Sequence, residues 1–347
     1  MIYNFQALRA FAVFLVLFVH IEDLVASVGI SQSMLAFGNV GVDLFFVLSG
    51  FVIVHSTIKT NPSATEFFKS RLVRIVPIYW ILTLGVFSIA LFSPNLLGST
   101  QANFANLLKS LFFIPYERQD GSIFPILFVG WSLNYEMFFY TIFAVFLALF
   151  SKVKQSIIAS STLITTLVVV ISLTNPVSVP VHFLGQPIVL EFVFGMWIGY
   201  LANRQPSLTI KGAQWILVAA IAWLVAYMFA WPSGPRWILA GVPSVIILVS
   251  ALSLERSGIV ATNSKVQLLG ASSYAIYLSH PFVLQGISKL VPPLTSVSAT
   301  IAIVATGFAV ALAAGVAVHL LIELPVVRYL KRTIIHRSQI SASTPPT

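Results

Sequence analysis

Roughly ten apolar runs divide this chain: 6–27, 39–57, 76–92, 131–150, 156–173, 187–202, 213–231, 236–254, 270–288 and 299–322. Each approaches the ~20 residues with which a helix crosses a bilayer. Lipid offers no partner to a bare backbone amide or carbonyl, so only helices or closed barrels can span it. The expected fold is an all-α polytopic membrane protein, with about ten transmembrane helices in one bundle. Composition agrees, since 58% of the 347 residues are hydrophobic and 8% are charged, against roughly 45–50% and about 25% in soluble proteins. That balance excludes a soluble enzyme, a disordered chain and a nucleic-acid module. The absence of cysteine excludes disulfides, thiolate chemistry, iron–sulfur clusters and Cys-ligated zinc.

The net charge of +9 reports topology. With a cytoplasmic N-terminus, only Lys109, Arg118, Arg236 and Lys289 of the 19 basic residues fall on the outer side. The other fifteen, from Arg9 to Arg337 and including Arg204, lie inside, which supports an N-in, C-in arrangement of ten spans. Arg9 before apolar Ala10–Val19 has the charge and core of a signal peptide. However, His20, Glu22 and Asp23 within the segment, and the many spans after it, favour a retained first helix. In the longest outer connector, Asn103–Ile114 is expected to lie as a short interfacial helix. Residues 1–332 read as one membrane domain and 333–347 as a short, disordered cytoplasmic tail, its last ten residues rich in Ser, Thr and Pro.

A charge near the bilayer centre costs at least ~2.5–3.5 kcal/mol, so ionisable residues within spans are functional candidates. Ten residues separate Arg9 from His20; on a continuous helix the two would share one face about 16 Å apart. Asp23, at i+3 from His20, would then be able to orient its imidazole. A buried His satisfied by a carbonyl, with an Arg marking the interface, fits the same pattern. Asp43 opens the second span seven residues before Gly50, either as a counter-ion or as a partner of a His. The first inner connector carries Lys59, Lys69, Arg71 and Arg74 before Tyr79 and Trp80. This is either a positive-inside signal with an aromatic belt or a site for a phosphate-bearing donor. Trp131 and Glu136 begin the fourth span, Tyr140 follows Glu136 by one turn, and Tyr277, His280 and Pro281 lie late in the chain. Glu191, His319 and Glu323 read as mostly structural. No P-loop, dinucleotide fingerprint, metal-ligand spacing or G-x-S-x-G elbow is present.

Leu8-Arg9-Ala10 with its distant His20, then Gly41–Phe51, then Arg71–Trp80, in this order, resemble the membrane-bound acyltransferase-3 family. That family includes O-acetyltransferases of surface glycans. Trp131–Glu136, Tyr274–His280 and Glu323-Leu324-Pro325 with Arg328 are similar to its later landmarks, so that the likeness runs from about residue 3 to 332. The resemblance implies a multi-pass enzyme of the bacterial plasma (inner) membrane that moves an acyl group, most often acetyl, from cytosolic acyl-CoA to a hydroxyl of a glycan or glycolipid. It implies acetyl-CoA as co-substrate, no metal and no nucleic-acid partner, and it leaves the oligomeric state open. Many relatives carry an additional extracytoplasmic hydrolase-like domain after an eleventh span. This sequence stops after the tenth, leaving any such relay absent or in another chain.

By this resemblance Arg9 and His20 match the essential pair, and Arg71 and Arg74 the pair associated with the donor. Joined to the reading of the residues, it makes His20, Arg9, Asp23, Asp43 and Glu136 the candidate catalytic residues. His20 is the base or transient acyl carrier, Asp23 or Asp43 its orienting carboxylate, and Glu136 an acceptor-side group. Arg71, Arg74, Lys69 and Tyr79 are candidate donor-binding residues; Trp131, Tyr140, Tyr277 and His280 are candidate acceptor contacts. A transporter or flippase for a lipid-linked sugar is the competing function, and a non-catalytic structural or sensory protein the third.

Overall fold

A computed structural model of the chain describes residues 2–97, 100–174, 176–202, 208–230, 234–292 and 296–335. Among them all regular structure is helical, with no strand. The α-helices are α1 Tyr3–Val19, α2 Glu22–Val25, α3 Gln32–Leu35, α4 Val40–Thr60, α5 Ala64–Phe92, α6 Phe104–Leu111, α7 Trp131–Leu149 and α8 Val153–Thr174. They continue with α9 Val179–Leu184, α10 Leu190–Leu201, α11 Ile210–Ala230, α12 Val242–Arg256, α13 Ser264–Leu290, α14 Val297–Val318 and α15 Leu324–Leu330. Arg204, Arg337 and residues 336–347 of the expected tail lie outside the described residues, whereas residues 333–335 complete a π-helical turn, Lys331–Ile335.

Seven helices among the described residues are long and apolar enough to cross a membrane, or eight if α1 and Glu22–Val28, bent by 58° at their junction, form one broken span. The two remaining apolar runs of the sequence fall on the shorter Pro187–Leu201 and on α13. The latter is 27 residues long but carries Ser272, Ser273, Ser279 and His280 on buried positions. The chain is an all-α multi-pass membrane protein.

The chain divides into two compact units. The first comprises Met1–His55 and Leu190–His319 and is built around α1. In lipid, helices are held by close packing rather than by a hydrophobic drive, and α1 is gripped through glycine on two flanks. A Cβ on Gly41 would stand 2.2 Å from the Ala12 carbonyl oxygen, and one on Gly270 2.1 Å from that of Gln6. Gly50 of α4 likewise meets the backbone of α10 at Phe192 and Gly195, so its small size admits a helix. The start of α1 is held from far along the chain. The backbone N–H groups of Tyr3 and Asn4 donate to Glu255 Oε1 and Oε2, each at 2.7 Å, which satisfies two helix-start donors and places an anion at the positive end of the helix dipole. At the other end, Phe14, Phe18 and Phe308 meet edge to face, with centroids 4.9–5.6 Å apart. α11 turns Trp215, Val218, Ile221 and Val225 outward, as a lipid-facing helix does.

The second unit comprises Ser56–Val189 and Leu320–Thr347. Here α5 begins well before the apolar run, so Lys69, Arg71 and Arg74 are helical rather than part of a loop. The cause is local. Ser63 Oγ accepts from the Glu66 N–H at 3.2 Å and Glu66 Oε2 accepts from the Ser63 N–H at 3.0 Å, a reciprocal capping box. The expected short helix after residue 103 is present as α6, with Asn103 as its N-cap, Leu107 and Ser110 buried, and Phe104, Leu108 and Phe112 exposed. Ser110 organises the connector: its Oγ accepts from the Ile126 N–H at 2.9 Å and meets the Tyr116 hydroxyl at 3.2 Å. Arg118 closes the same loop on the carbonyls of Phe124, Pro125 and Ile126.

Candidate functional site

In the first unit, α1 ends at Val19 and His20 follows as its C-cap, with its N–H donating to the Leu17 carbonyl at 3.1 Å. His20 therefore stands at a break rather than on a continuous helix, and the stripe shared with Arg9 runs only as far as that break. Asp23 belongs to α2, beyond the 58° bend, and is exposed. Its expected i+3 relation to His20 is lost, because that relation needs an unbroken helix. The group brought to His20 is His280 of α13, with ring centroids 4.9 Å apart. Tyr277 lies one turn before it, its ring 6.1 Å from that of His280 and 6.1 Å from that of Phe45. Arg9 is half-buried, with Nη1 donating to Gln6 Oε1 at 3.3 Å.

Asp43 does not orient His20 either. Its fully buried carboxylate receives Arg236 Nε at 3.0 Å and Nη2 at 2.8 Å, and the same Nη2 donates to the Asn39 carbonyl at 3.1 Å. A bidentate guanidinium on a buried carboxylate is the strongest ordinary ion-pair geometry, and it makes Asp43 a counter-ion. Glu191 is buried beside this pair, its carboxyl against Gly241. Sequence reading missed Arg236 as a partner because 193 positions separate it from Asp43.

In the second unit, Arg71 and Arg74 lie three residues apart on α5 and so near one face. The Arg71 guanidinium carbon lies 5.4 Å from the Phe67 ring centroid and 6.0 Å from that of Tyr140, and its Nη2 donates to Ser56 Oγ at 3.4 Å. Tyr140 donates its hydroxyl to Glu136 Oε1, and Glu136 is within electrostatic range of Arg71. Glu136 and Tyr140, expected apart on the acceptor side, thus join the cationic cluster, because one turn of α7 faces one turn of α5. Arg74 pairs with Glu323 at 3.5 Å, and Lys331 approaches both arginines. Lys69 is half-buried on the same helix.

Two expected site residues lie elsewhere. Tyr79 is completely buried. Its hydroxyl donates to the Ser110 carbonyl at 3.1 Å and its ring stacks on Phe113 at 4.9 Å, so it anchors the α6 connector and does not stand with the arginines. Trp131 is half-buried at the start of α7, edge-on to Tyr135 at 6.0 Å. Among the described residues, no group of three or more His, Asp or Glu side chains is placed to hold a metal.

Chemically, the first unit offers two adjacent imidazoles, each able to accept a proton on one nitrogen and donate one from the other. The second offers paired guanidiniums, suited to phosphate oxygens. A family model described as an acyltransferase domain matches residues 2–320. The exopolysaccharide production protein ExoZ of Rhizobium meliloti (strain 1021) is 33% identical over 307 residues, covering 84% of this chain and 90% of that protein. The acyltransferase MdmB of Streptomyces mycarofaciens is 24% identical, covering 85% of this chain and 82% of its own. The O-acetyltransferase OatA of Staphylococcus aureus is 23% identical, and the match covers 79% of this chain but 49% of that protein. No solved structure matches the chain.

Proposed function

Because the chain belongs to the acyltransferase-3 family and is thus an acyltransferase, we propose that it moves an acetyl group from acetyl-CoA to a hydroxyl of an exopolysaccharide or its lipid-linked precursor. The acceptor class follows the name of the ExoZ relative, and the acetyl group that of OatA. The bacterial plasma membrane is the proposed location. The observation that carries the reading is His20, a titratable ring held at a helix break, against a second imidazole, among apolar helices.

In the proposed reaction a neutral His20 takes the proton of the acceptor hydroxyl as its oxygen attacks the thioester carbonyl. The tetrahedral intermediate collapses, the C–S bond breaks, and the proton returns to the leaving thiolate. The alternative route acylates His20 first and then transfers the group. Incubation with labelled donor alone separates the two, since only the second leaves label on the protein. Arg71 and Arg74, with Lys69 adding to the local positive field, are the proposed ligands of the donor's phosphates. Tyr140 and Glu136 hold Arg71 in place.

The test uses membranes of a deletion strain carrying the gene, radiolabelled acetyl-CoA and the extracted surface glycan. Label enters the glycan as an alkali-labile ester, and His20→Ala abolishes this while the protein still inserts. Movement of a lipid-linked sugar across the membrane without incorporation of label would instead establish a flippase.

A further inference from the structure

The acyl-transfer reading needs something to fix which nitrogen of His20 is bare. Neither aspartate does so: Asp23 is exposed beyond the helix break, and Asp43 is held by Arg236. His280 meets the need. It is 0% exposed, and its Nδ1 lies 3.2 Å from the Ile276 carbonyl oxygen. A carbonyl only accepts, so this bond puts the proton of the neutral ring on Nδ1 and leaves Nε2 as a lone pair. That Nε2 is buried and has no hydrogen-bond partner. A buried acceptor left empty is destabilising and calls for an explanation. The position of the ring is itself fixed. Pro281 has no N–H for the Tyr277 carbonyl one turn earlier, and that carbonyl lies beside the His280 ring. Gly270 lets α13 touch the backbone of α1.

We propose that His280 is the positioning residue of His20, its Nε2 lone pair receiving one ring N–H of His20 so that the other His20 nitrogen is presented bare to the acceptor hydroxyl. Two imidazoles joined in line by an N–H···N bond have centroids about 5 Å apart; the observed separation of 4.9 Å with a 36° tilt is compatible with such a bond, which would form on rotation of the His20 ring. The proposal rests on His20 as the group that takes the acceptor proton. Protons balance throughout. The hydroxyl proton passes to the bare nitrogen of His20, the new C–O bond forms, the C–S bond breaks, and His20 returns the proton to the thiolate. His280 keeps its own proton on Nδ1. A neutral partner has an advantage in this setting. A carboxylate would add a buried charge in lipid, whereas an imidazole orients His20 and still steadies the transient imidazolium through hydrogen bonding.

The experiment compares His280→Leu with His280→Gln in membranes, using acetyl-CoA and the purified glycan. Glutamine carries an acceptor oxygen near the position of Nε2; leucine keeps the bulk and removes the acceptor. The expected result for leucine is a fall in kcat of about 30–100-fold, up to the lower end of general-base effects as suits a residue acting through the base, with both KM values changed less than about twofold. Glutamine recovers most of that loss. Equal losses in the two variants, or a rise in acceptor KM as the main effect, overturn the proposal. A second measurement, made on the wild type and on His20→Ala, does not depend on either His280 variant folding. With 15N-histidine label in nanodiscs, the His280 Nε2 resonance shifts when His20 is replaced by Ala; an unmoved resonance overturns the proposal. His20→Ala assayed in parallel separates the two levels. Retained transfer in that variant removes the underlying reading, while an inert His20→Ala beside a fully active His280→Leu removes only the role of His280.

Discussion

Arg71 and Arg74 stand on one face of α5 with aromatic rings on one side and Glu323 on the other. If they bind donor phosphates, Arg71→Gln with Arg74→Gln raises KM for acetyl-CoA at least tenfold, since each charge-assisted hydrogen bond contributes ~1.5–3 kcal/mol. Acceptor KM stays within about twofold, and unchanged donor kinetics would leave the pair as a topology signal only. Asp43 is a different case. Asp43→Asn strips the counter-ion from Arg236 and lowers stability by about 3 kcal/mol, read as an earlier thermal unfolding in detergent. Adding Arg236→Gln recovers more than half of the loss, as a coupled pair does; a double variant no more stable than the single one would show that the ion pair is not the reason. Spacing drew Arg9, His20, Arg71 and Arg74 out of the sequence; Arg71 and Arg74 do share a face of α5, whereas the helix that would align Arg9 with His20 ends at Val19. The partner of Asp43 was not legible, because no periodicity joins positions 193 residues apart. The sequence reading did single out His280, but as an acceptor contact; its neighbour His20 becomes visible only when α1 and α13 are packed.

Helix boundaries set the chemistry more than helix identity does. The first span was legible as apolar but not as broken at His20, since nothing between Val19 and Glu22 resembles a proline or glycine stop. The early start of α5 was legible in principle: Ser63 followed at three residues by Glu66 is the capping-box signature. Ser63→Ala therefore costs about 1 kcal/mol and frays the turn that leads to Arg71, raising donor KM without altering acceptor KM. The contact of α1 with α13 is tighter still. Gly270→Val forces side-chain carbons into the Gln6 carbonyl and costs at least ~1–3 kcal/mol. It separates the two histidines, so transfer falls more than the yield of inserted protein; equal losses of both would show a purely structural contact.

Among the described residues, the apolar runs of the sequence coincide with helical structure, the first of them broken at His20. If the N-terminus is cytoplasmic and the chain crosses ten times, a reporter fused after Thr347 reads as cytoplasmic, checked by accessibility of the fusion to an impermeant label in intact cells. Labelling from outside would require an odd number of crossings. The all-α architecture was legible because bilayer thickness sets a length that composition alone reveals. The joining of α1 to the end of α12 was not. Glu255 holds the opening amides of Tyr3 and Asn4, yet it is one more acidic residue in an ordinary connector. Its position gives the ribosome a schedule. The helix that leads to His20 is made about 250 residues before the carboxylate that seats it. A nascent chain stopped ahead of α12 can thread its opening segment into the bilayer but lacks the carboxylate that caps it, so this long-range seat forms only once α12 has been made.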